Sequence, residues 1–524
     1  MGGGLLGKSS LTLQHMLGVV VAGYGSKTAI VSGDERLSYA DLDKTSNRVA
    51  NALIKIGIKR GDRVAILLSN SLEYVTTFFG VVKTGATAIP LDPQYRRDEL
   101  ATFFTDCRPS VLITEKTVLE PLESCLHAFR SIEQVVCLSG CGGPYLNLDV
   151  ASSGCSEARV EDSSTPEEVA VILYTSGPSS SPRGVMLSHK SLVKEAEILS
   201  DGYQQTDKDV VMLYALPMYH VFGLVAILLA AVSKGSTVVI VPGTGLSISS
   251  FMAAIEREKG TMFLAVPYIF ALAVDIAQKE GIKHDLSSLR LVSSSADFLP
   301  ANLVKRFKEL YGFEILDCFA LTEATCHVTC PPINGAGKAG SVGQPLPGWE
   351  VRIEDNEGRV LLRGQTGEIV LKGPIMSGYF RNPKATSETI KDGWLHTGDI
   401  GKLDKEDYLY ILGRKKNIII VKGQNIWPED VEAVLHRHPA IADAVVIGIP
   451  DEMRGEVVGA VVTIKPGMNV TEAEIKHLCL ERLASYKVPK QIYFVDSLPN
   501  TKDGKIDTEA VRRNLKISST FLHG

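Results

Sequence analysis

The feature that most restricts the fold is a repeated exchange of hydrophobic period along the first two-thirds of the chain. Residues 63–68 (Arg-Val-Ala-Ile-Leu-Leu) form a continuous apolar run of strand length, and residues 72–83 follow with helical spacing. Residues 86–90 return to strand, 98–106 read as helix, and 111–113 begin the next strand. The runs 236–241, 262–266 and 289–292 continue the pattern. Strands that alternate with helices in this way predict parallel sheets with helices packed on their faces.

From about Gly340 the texture changes to short strands punctuated by glycine and proline, as at 349–353 and 368–371. After Arg414 the alternation resumes on a smaller scale, with a strand at 418–421, a helix at 428–435 and a strand at 441–449. A chain of 524 residues is too long for one ordinary core. The expectation is an α/β protein. A large N-terminal domain of flanked sheets with a β-rich portion spans 1–412, a hinge 413–417, and a small mobile α+β domain 418–524. Residues 152–164 read as an exposed polar connection.

With a formal charge of -5, the surface as a whole offers no attraction to nucleic acid or an anionic membrane, so an anionic ligand must be held locally. The longest apolar run, 221–232, is too short to span a bilayer and predicts a buried helix. The first residues make a poor signal peptide, with one lysine and a mild apolar run over 17–22. The nine cysteines are irregularly spaced and do not form a disulfide framework. Cys326, His327 and Cys330 lack the second pair that zinc spacing requires. A cytoplasmic location is expected.

Three stretches carry chemistry. Tyr174 to Gly184 (Tyr-Thr-Ser-Gly-Pro-Ser-Ser-Ser-Pro-Arg-Gly) follows an apolar strand at 169–173 and precedes a helix starting near Ser188. Small and hydroxylic residues there would present N–H and O–H donors to phosphate oxygens, with Arg183 adding charge; a surface turn fits equally well. Trp394-Leu395-His396-Thr397-Gly398-Asp399-Ile400 puts a carboxylate at a strand–turn junction, where it can accept two ribose hydroxyls. Asn500 to Ile506 places Lys505 just past a turn in the last domain.

In this order, with Gly413-Arg414-Lys415-Lys416, Lys422-Gly423, 340–348 and Gly378-Tyr379-Phe380-Arg381-Asn382-Pro383, the motifs resemble the adenylate-forming superfamily, in particular acyl-CoA synthetases and 4-coumarate–CoA ligases. The resemblance covers about Asp34 to Ile506. It implies ATP, Mg²⁺ and coenzyme A as cofactors and a small carboxylic acid as substrate. Thr175, Ser176, Gly177, Ser179, Ser180 and Arg183 would hold the β- and γ-phosphates. Phe319 would stack on adenine, with Ser294, Ser295, Asp317 and Cys318 beside it. Thr322 would touch the α-phosphate and Glu323 would hold Mg²⁺. Asp399 and Arg414 would bind the ribose, and Lys422 and Gly423 would join the binding residues. Lys505 would bridge carboxylate and α-phosphate, Lys416 would be the pivot, and His220 would stand where acid and thiol meet.

Such a chain would make acyl-CoA, AMP and pyrophosphate through an acyl-adenylate. Sparse bulky residues over 321–328 and the apolar run at 221–232 suit a hydrophobic acid. The phosphate loop departs from the family at three positions, Pro178, Ser180 and Arg183. Pro178 removes a backbone donor, and Arg183 replaces a point charge with a planar fork. Two other readings therefore stand beside the ligase: an enzyme that loads a carrier protein, and a nucleotide-binding paralogue without catalysis.

Overall fold

The computed structural model describes residues 12–138, 141, 145–175, 183–241, 247–297, 299–333, 337–414, 419–499 and 506–515. Two large sheets dominate the N-terminal part. In the eight-stranded one, Arg63–Leu67 lies between Thr87–Pro90 and Val111–Thr114, parallel to both, with Val64 beside Ala88 on one side and Val111 on the other. The connecting helix Leu72–Lys83 starts where Ser71 Oγ accepts the Tyr74 N–H at 3.0 Å and ends on a basic residue, as a helix dipole favours. Val169–Thr175 and Arg183–Ser188 pair antiparallel in the same sheet, and the register sets Thr175 opposite Arg183.

The seven-stranded sheet holds Val210–Leu213, Thr237–Ile240, Met262–Ala265 and Leu291–Ser294, all parallel. Ligands of such sheets bind beyond the carboxyl ends of the strands. His220 and Ala296 follow those ends.

The predicted buried helix at 221–232 is buried, but its winding differs from expectation. Phe222–Leu229 is a π-helix that passes into an α-helix at Ala230–Lys234. At its entry Gly223 packs so tightly that a Cβ would lie 2.3 Å from the Pro217 carbonyl oxygen. A wider π turn with a close backbone approach is common beside functional sites.

The β-rich portion is antiparallel: Glu350–Glu354, Gly367–Lys372, Trp394–Leu403 and Leu409–Arg414 pair in that order. The small C-terminal α+β domain builds on a long hairpin, Ile441–Asp451 with Gly455–Ile464. The helices Pro428–Leu435 and Glu472–Arg482 cover it, and it has its own apolar clusters, one around Val431, Val446 and Cys479. No helix among the described residues is long and apolar enough to cross a membrane.

Candidate active site

A cleft of about 340 Å³ opens between the large sheets, the β-rich portion and the small domain. Five of the residues expected from sequence line it: Arg183, His220, Thr322, Glu323 and Gly423.

Thr322 and Glu323 lie on a single turn, Thr322–Ala324, whose end is held by the Thr325 N–H on the Thr322 carbonyl at 3.0 Å. Glu323 is fixed from two sides. Its backbone carbonyl accepts the Met376 N–H at 2.8 Å, and its Oε1 accepts the Tyr379 hydroxyl at 2.9 Å. Burial, with the Glu323 carboxylate next in importance, raises the Tyr379 phenol above its ordinary range, so the hydroxyl remains a donor.

Arg183 enters from the start of the strand Arg183–Ser188, which lies between Val169–Thr175 and Gly378–Tyr379. Its guanidinium lies 5.5 Å from the Tyr379 ring centroid and 5.9 Å from that of Trp427. The first ring belongs to the large domain and the second to the small one. The Trp427 indole N–H is buried and has no hydrogen-bond partner among the described residues.

His220 accepts the Phe222 N–H on Nδ1 at 3.3 Å, so its neutral form carries the proton on Nε2. Protein packed around the ring lowers its pKa to about 4, and at neutral pH it is an uncharged donor rather than a cation. Val221, Phe222, Ala320 and Leu321 make the neighbouring wall apolar.

The small domain closes the opposite side. Its hairpin, Ile419–Val421 with Gln424–Ile426, pushes Gly423 against the large domain. Gly423 has φ +79°, and a Cβ there would stand 2.7 Å from Val266. Glycine is needed on both counts. Lys422 lies outside the cleft lining, its Nζ 4.1 Å from the Tyr268 ring centroid.

Other expected residues sit behind the cleft. Ser294, Ser295, Cys318 and Phe319 are buried, with Ser295 Oγ donating to the Cys318 carbonyl at 2.8 Å. Burial, reinforced by Asp297, raises the Asp317 carboxyl well above the usual range. Asp399 is buried on Trp394–Leu403, opposite Arg414 in the strand register. Ser176, Gly177, Ser179, Ser180, Lys416 and Lys505 lie outside the described residues, as do the side chains of Thr175 and Arg414.

Sequence reasoning missed three cleft residues. Tyr379 stood inside a recognised motif, but only the fold reveals its contact with Glu323. His396, within the Trp394–Ile400 motif, has Nδ1 3.7 Å from Glu368 Oε2, whose partner oxygen accepts the Gly398 N–H. Trp427 carried no signal beyond an aromatic before a proline. For Mg²⁺ the site offers oxygen donors of the kind a hard cation shared with polyphosphate takes: the Glu323 carboxylate, which would hold the ion, lies beside Thr322 in a cleft with room for phosphate and water.

Comparison with known proteins bears on the same site. The family model described as AMP-binding enzyme matches residues 19–380, and that of the AMP-binding enzyme C-terminal domain matches 430–505. The chain is 33% identical to the oxalate–CoA ligase of Arabidopsis thaliana, covering 96% of this chain and 98% of the relative. It is 34% identical to the indoleacetate–CoA ligase of Aromatoleum aromaticum, covering 95% and 96%. Among solved structures, a double mutant of o-succinylbenzoate CoA synthetase from Bacillus subtilis, bound with its product analogue, superposes with a TM-score of 0.83. Identity there is 28%, over 95% of this chain and 98% of that one.

Proposed function

This chain belongs to the AMP-binding enzyme family, and on that premise we propose that it joins a hydrophobic carboxylic acid to coenzyme A by way of an acyl-adenylate. The products are acyl-CoA, AMP and pyrophosphate. The observation that carries this reading is the convergence of Arg183, Thr322, Glu323 and His220 on one cleft whose far side is made by the small domain.

The chemistry asks for that set. Attack of a carboxylate on the α-phosphorus brings two anions together, and donors must offset the charge that builds there. Arg183 faces the β- and γ-phosphates, Thr322 the α-phosphate, and Glu323 the metal. Mg²⁺, when bound, offsets polyphosphate charge. Asp399 and Arg414 take the ribose hydroxyls, and the 294–295 and 317–319 segments form the adenine side. His220, uncharged, donates from Nε2 where acid and thiol meet.

The second step needs other surroundings. Rotation of 418–524 about 413–417, with Lys416 as pivot, brings Lys505 in for adenylation and withdraws it for thiol transfer. The observed arrangement, with Gly423 and Trp427 at the cleft, suits the second step. The whole-chain match to a relative bound with its product analogue supports this. The apolar wall at 221–222 and 320–321 supports a fatty, alicyclic or aromatic acid, though the relatives named act on acids as unlike as oxalate and indoleacetate.

The test is AMP release from Mg²⁺ and ATP across a panel of hydrophobic acids, with and without CoA. CoA-dependent AMP with one acid class is expected. AMP that depends on a carrier protein instead would reassign the acceptor. Nucleotide binding without AMP from any acid would refute the reading.

A further inference from the structure

The small domain is fastened to the large one at a place remote in sequence from the cleft. Residues 482–487 fit against the start of the helix Arg97–Cys107. Arg437 and Arg482 both reach Asp98 Oδ2, at 2.8 and 3.3 Å, and Ser485 Oγ meets Gln94 Oε1 at 3.3 Å. Ala484 is buried in the same apolar cluster as Tyr95, Leu100, Phe103 and Ile172 of the large domain.

Beneath these lies a group of a different kind. Lys487 Nζ is 3.1 Å from Glu99 Oε1 and 3.2 Å from Asp430 Oδ2, and all three side chains are at most 3% exposed. Pairs such as Arg437 with Asp98, about half exposed, are screened by water and hold little. A buried ammonium between two carboxylates behaves otherwise: removing one partner strands uncompensated charge in a dry place. Glu99 is also held from its own side, since its Oε2 accepts the Arg96 N–H at 3.2 Å.

The division of the three residues matters. Lys487 and Asp430 both belong to the small domain and travel together, whereas Glu99 belongs to the large one. Any rotation of the small domain away from 94–99 parts Lys487 from Glu99 but not from Asp430. The same docking reaches the cleft through a short relay. Tyr486, next to Lys487, packs on the apolar cluster that holds Tyr95, and Tyr219, next to His220, neighbours Asp92 and Gln424 of the hairpin that carries Gly423.

We propose that Lys487 is a positioning residue for the thiol-transfer step, holding the small domain through Glu99 in the arrangement that sets Gly423 and Trp427 at the cleft. This rests on the two-step reading above. In that step the thiol sulfur bonds to the acyl carbon, the acyl–phosphate C–O bond breaks, AMP departs with the bonding pair, and the thiol proton passes to water. Lys487 touches none of these atoms. Its effect is on how often the small domain is in place.

The experiment separates the half-reactions: ATP–pyrophosphate exchange for adenylation, and single-turnover transfer from preformed acyl-adenylate to CoA. Lys487→Met and Glu99→Gln should slow transfer about tenfold or more while exchange stays within about twofold. Lys487→Arg should remain within about threefold of wild type in both steps. Equal slowing of both steps, or no slowing of transfer, would overturn the proposal. If the wild type shows neither exchange nor transfer, the reaction assigned above is wrong. The fastening is then still read by amide hydrogen exchange over 94–99 and 482–487, which should quicken in Lys487→Met and not in Lys487→Arg. Unchanged protection in Lys487→Met would defeat it.

Discussion

The Tyr379 hydroxyl donates to Glu323 Oε1 at 2.9 Å, joining two motifs that lie 56 residues apart. It occupies one lone pair of the carboxylate proposed for Mg²⁺ and fixes which way the other oxygen faces. Tyr379→Phe keeps the ring against Arg183 and removes only this bond. Loss of a hydrogen bond to a charged group is worth about 1.5–3 kcal/mol. The apparent constant for Mg·ATP should rise by roughly tenfold, with unfolding stability falling by no more than about 1–2 kcal/mol. Initial rates against Mg²⁺ at fixed ATP check this, and an unchanged Mg²⁺ requirement would remove Glu323 from the metal's surroundings.

Arg183 and the loop before it give a second prediction. The guanidinium faces two rings, a contact worth about 0.5–1 kcal/mol per ring at partly exposed sites. Arg183→Lys keeps the charge but not the plane, and should raise the pyrophosphate constant in exchange by roughly threefold to tenfold. Pro178→Thr with Ser180→Gly returns a backbone donor and a small residue to the loop, and should lower the ATP and pyrophosphate constants. If the double change leaves both constants alone, these departures do not tune phosphate binding.

Three closely packed histidines, His189 and His327 buried and His220 half-buried at the cleft, predict acid lability. Packing lowers the pKa of His189 and His220 to about 4 and that of His327 to about 3. Each stays neutral in the folded chain while an unfolded histidine gains a proton near 6.5. The unfolded state therefore binds more protons as pH falls from about 6.5 toward 4, and stability falls with it. His327 is held by the Tyr203 hydroxyl at Nδ1, 2.6 Å away, and its Nε2 has no partner among the described residues. His327→Gln should flatten the loss of urea midpoint between pH 7 and pH 5, despite a lower midpoint at pH 7. An equal slope in variant and wild type would show that other groups govern acid unfolding.

Much of this architecture was readable from local pattern because local terms decide it. The helices at Leu72–Lys83 and Pro428–Leu435 begin and end as expected, since a serine cap or an initial proline marks their starts. The parallel strands around Arg63–Leu67 follow from runs apolar on both faces. The π winding at Phe222–Leu229 did not show, because a helix apolar all round carries no period to betray its turn. Within the site, Arg183 stood out by type in its loop of small residues, whereas Thr322 and Glu323 were given roles only through the resemblance to the family. Trp427 and Tyr379 were not given roles, because their partners come from other elements. Only docking of the small domain brings Trp427 to Arg183, and no local rule encodes that approach. The Lys487–Glu99 pair is hidden for the same reason: its residues are 388 apart, and a lone lysine in sequence reads as surface.

Asp92 offers the clearest electrostatic test of the interface. It is 1% exposed; one carboxyl oxygen accepts the Gln94 N–H at 2.8 Å, and the other has no hydrogen-bond partner among the described residues. Burial, opposed by the Gln94 N–H and Tyr219 and weakly reinforced by Glu99, raises its pKa to about 6. The folded chain then holds this proton more tightly than the unfolded one, whose aspartates titrate near 4. The benefit is full below about pH 4 and disappears as pH rises through about 6, so at pH 7 a buried charge works against folding. Asp92→Asn keeps the shape, the Gln94 contact and the neutral state at every pH. It should match wild type in urea unfolding at pH 4 and exceed it at pH 7.5 by on the order of 1–3 kcal/mol, the gap opening between the two. A gap that did not change with pH would place the Asp92 charge in contact with water or a cation, and the interface at Tyr219 and Gln424 would be looser than its packing indicates.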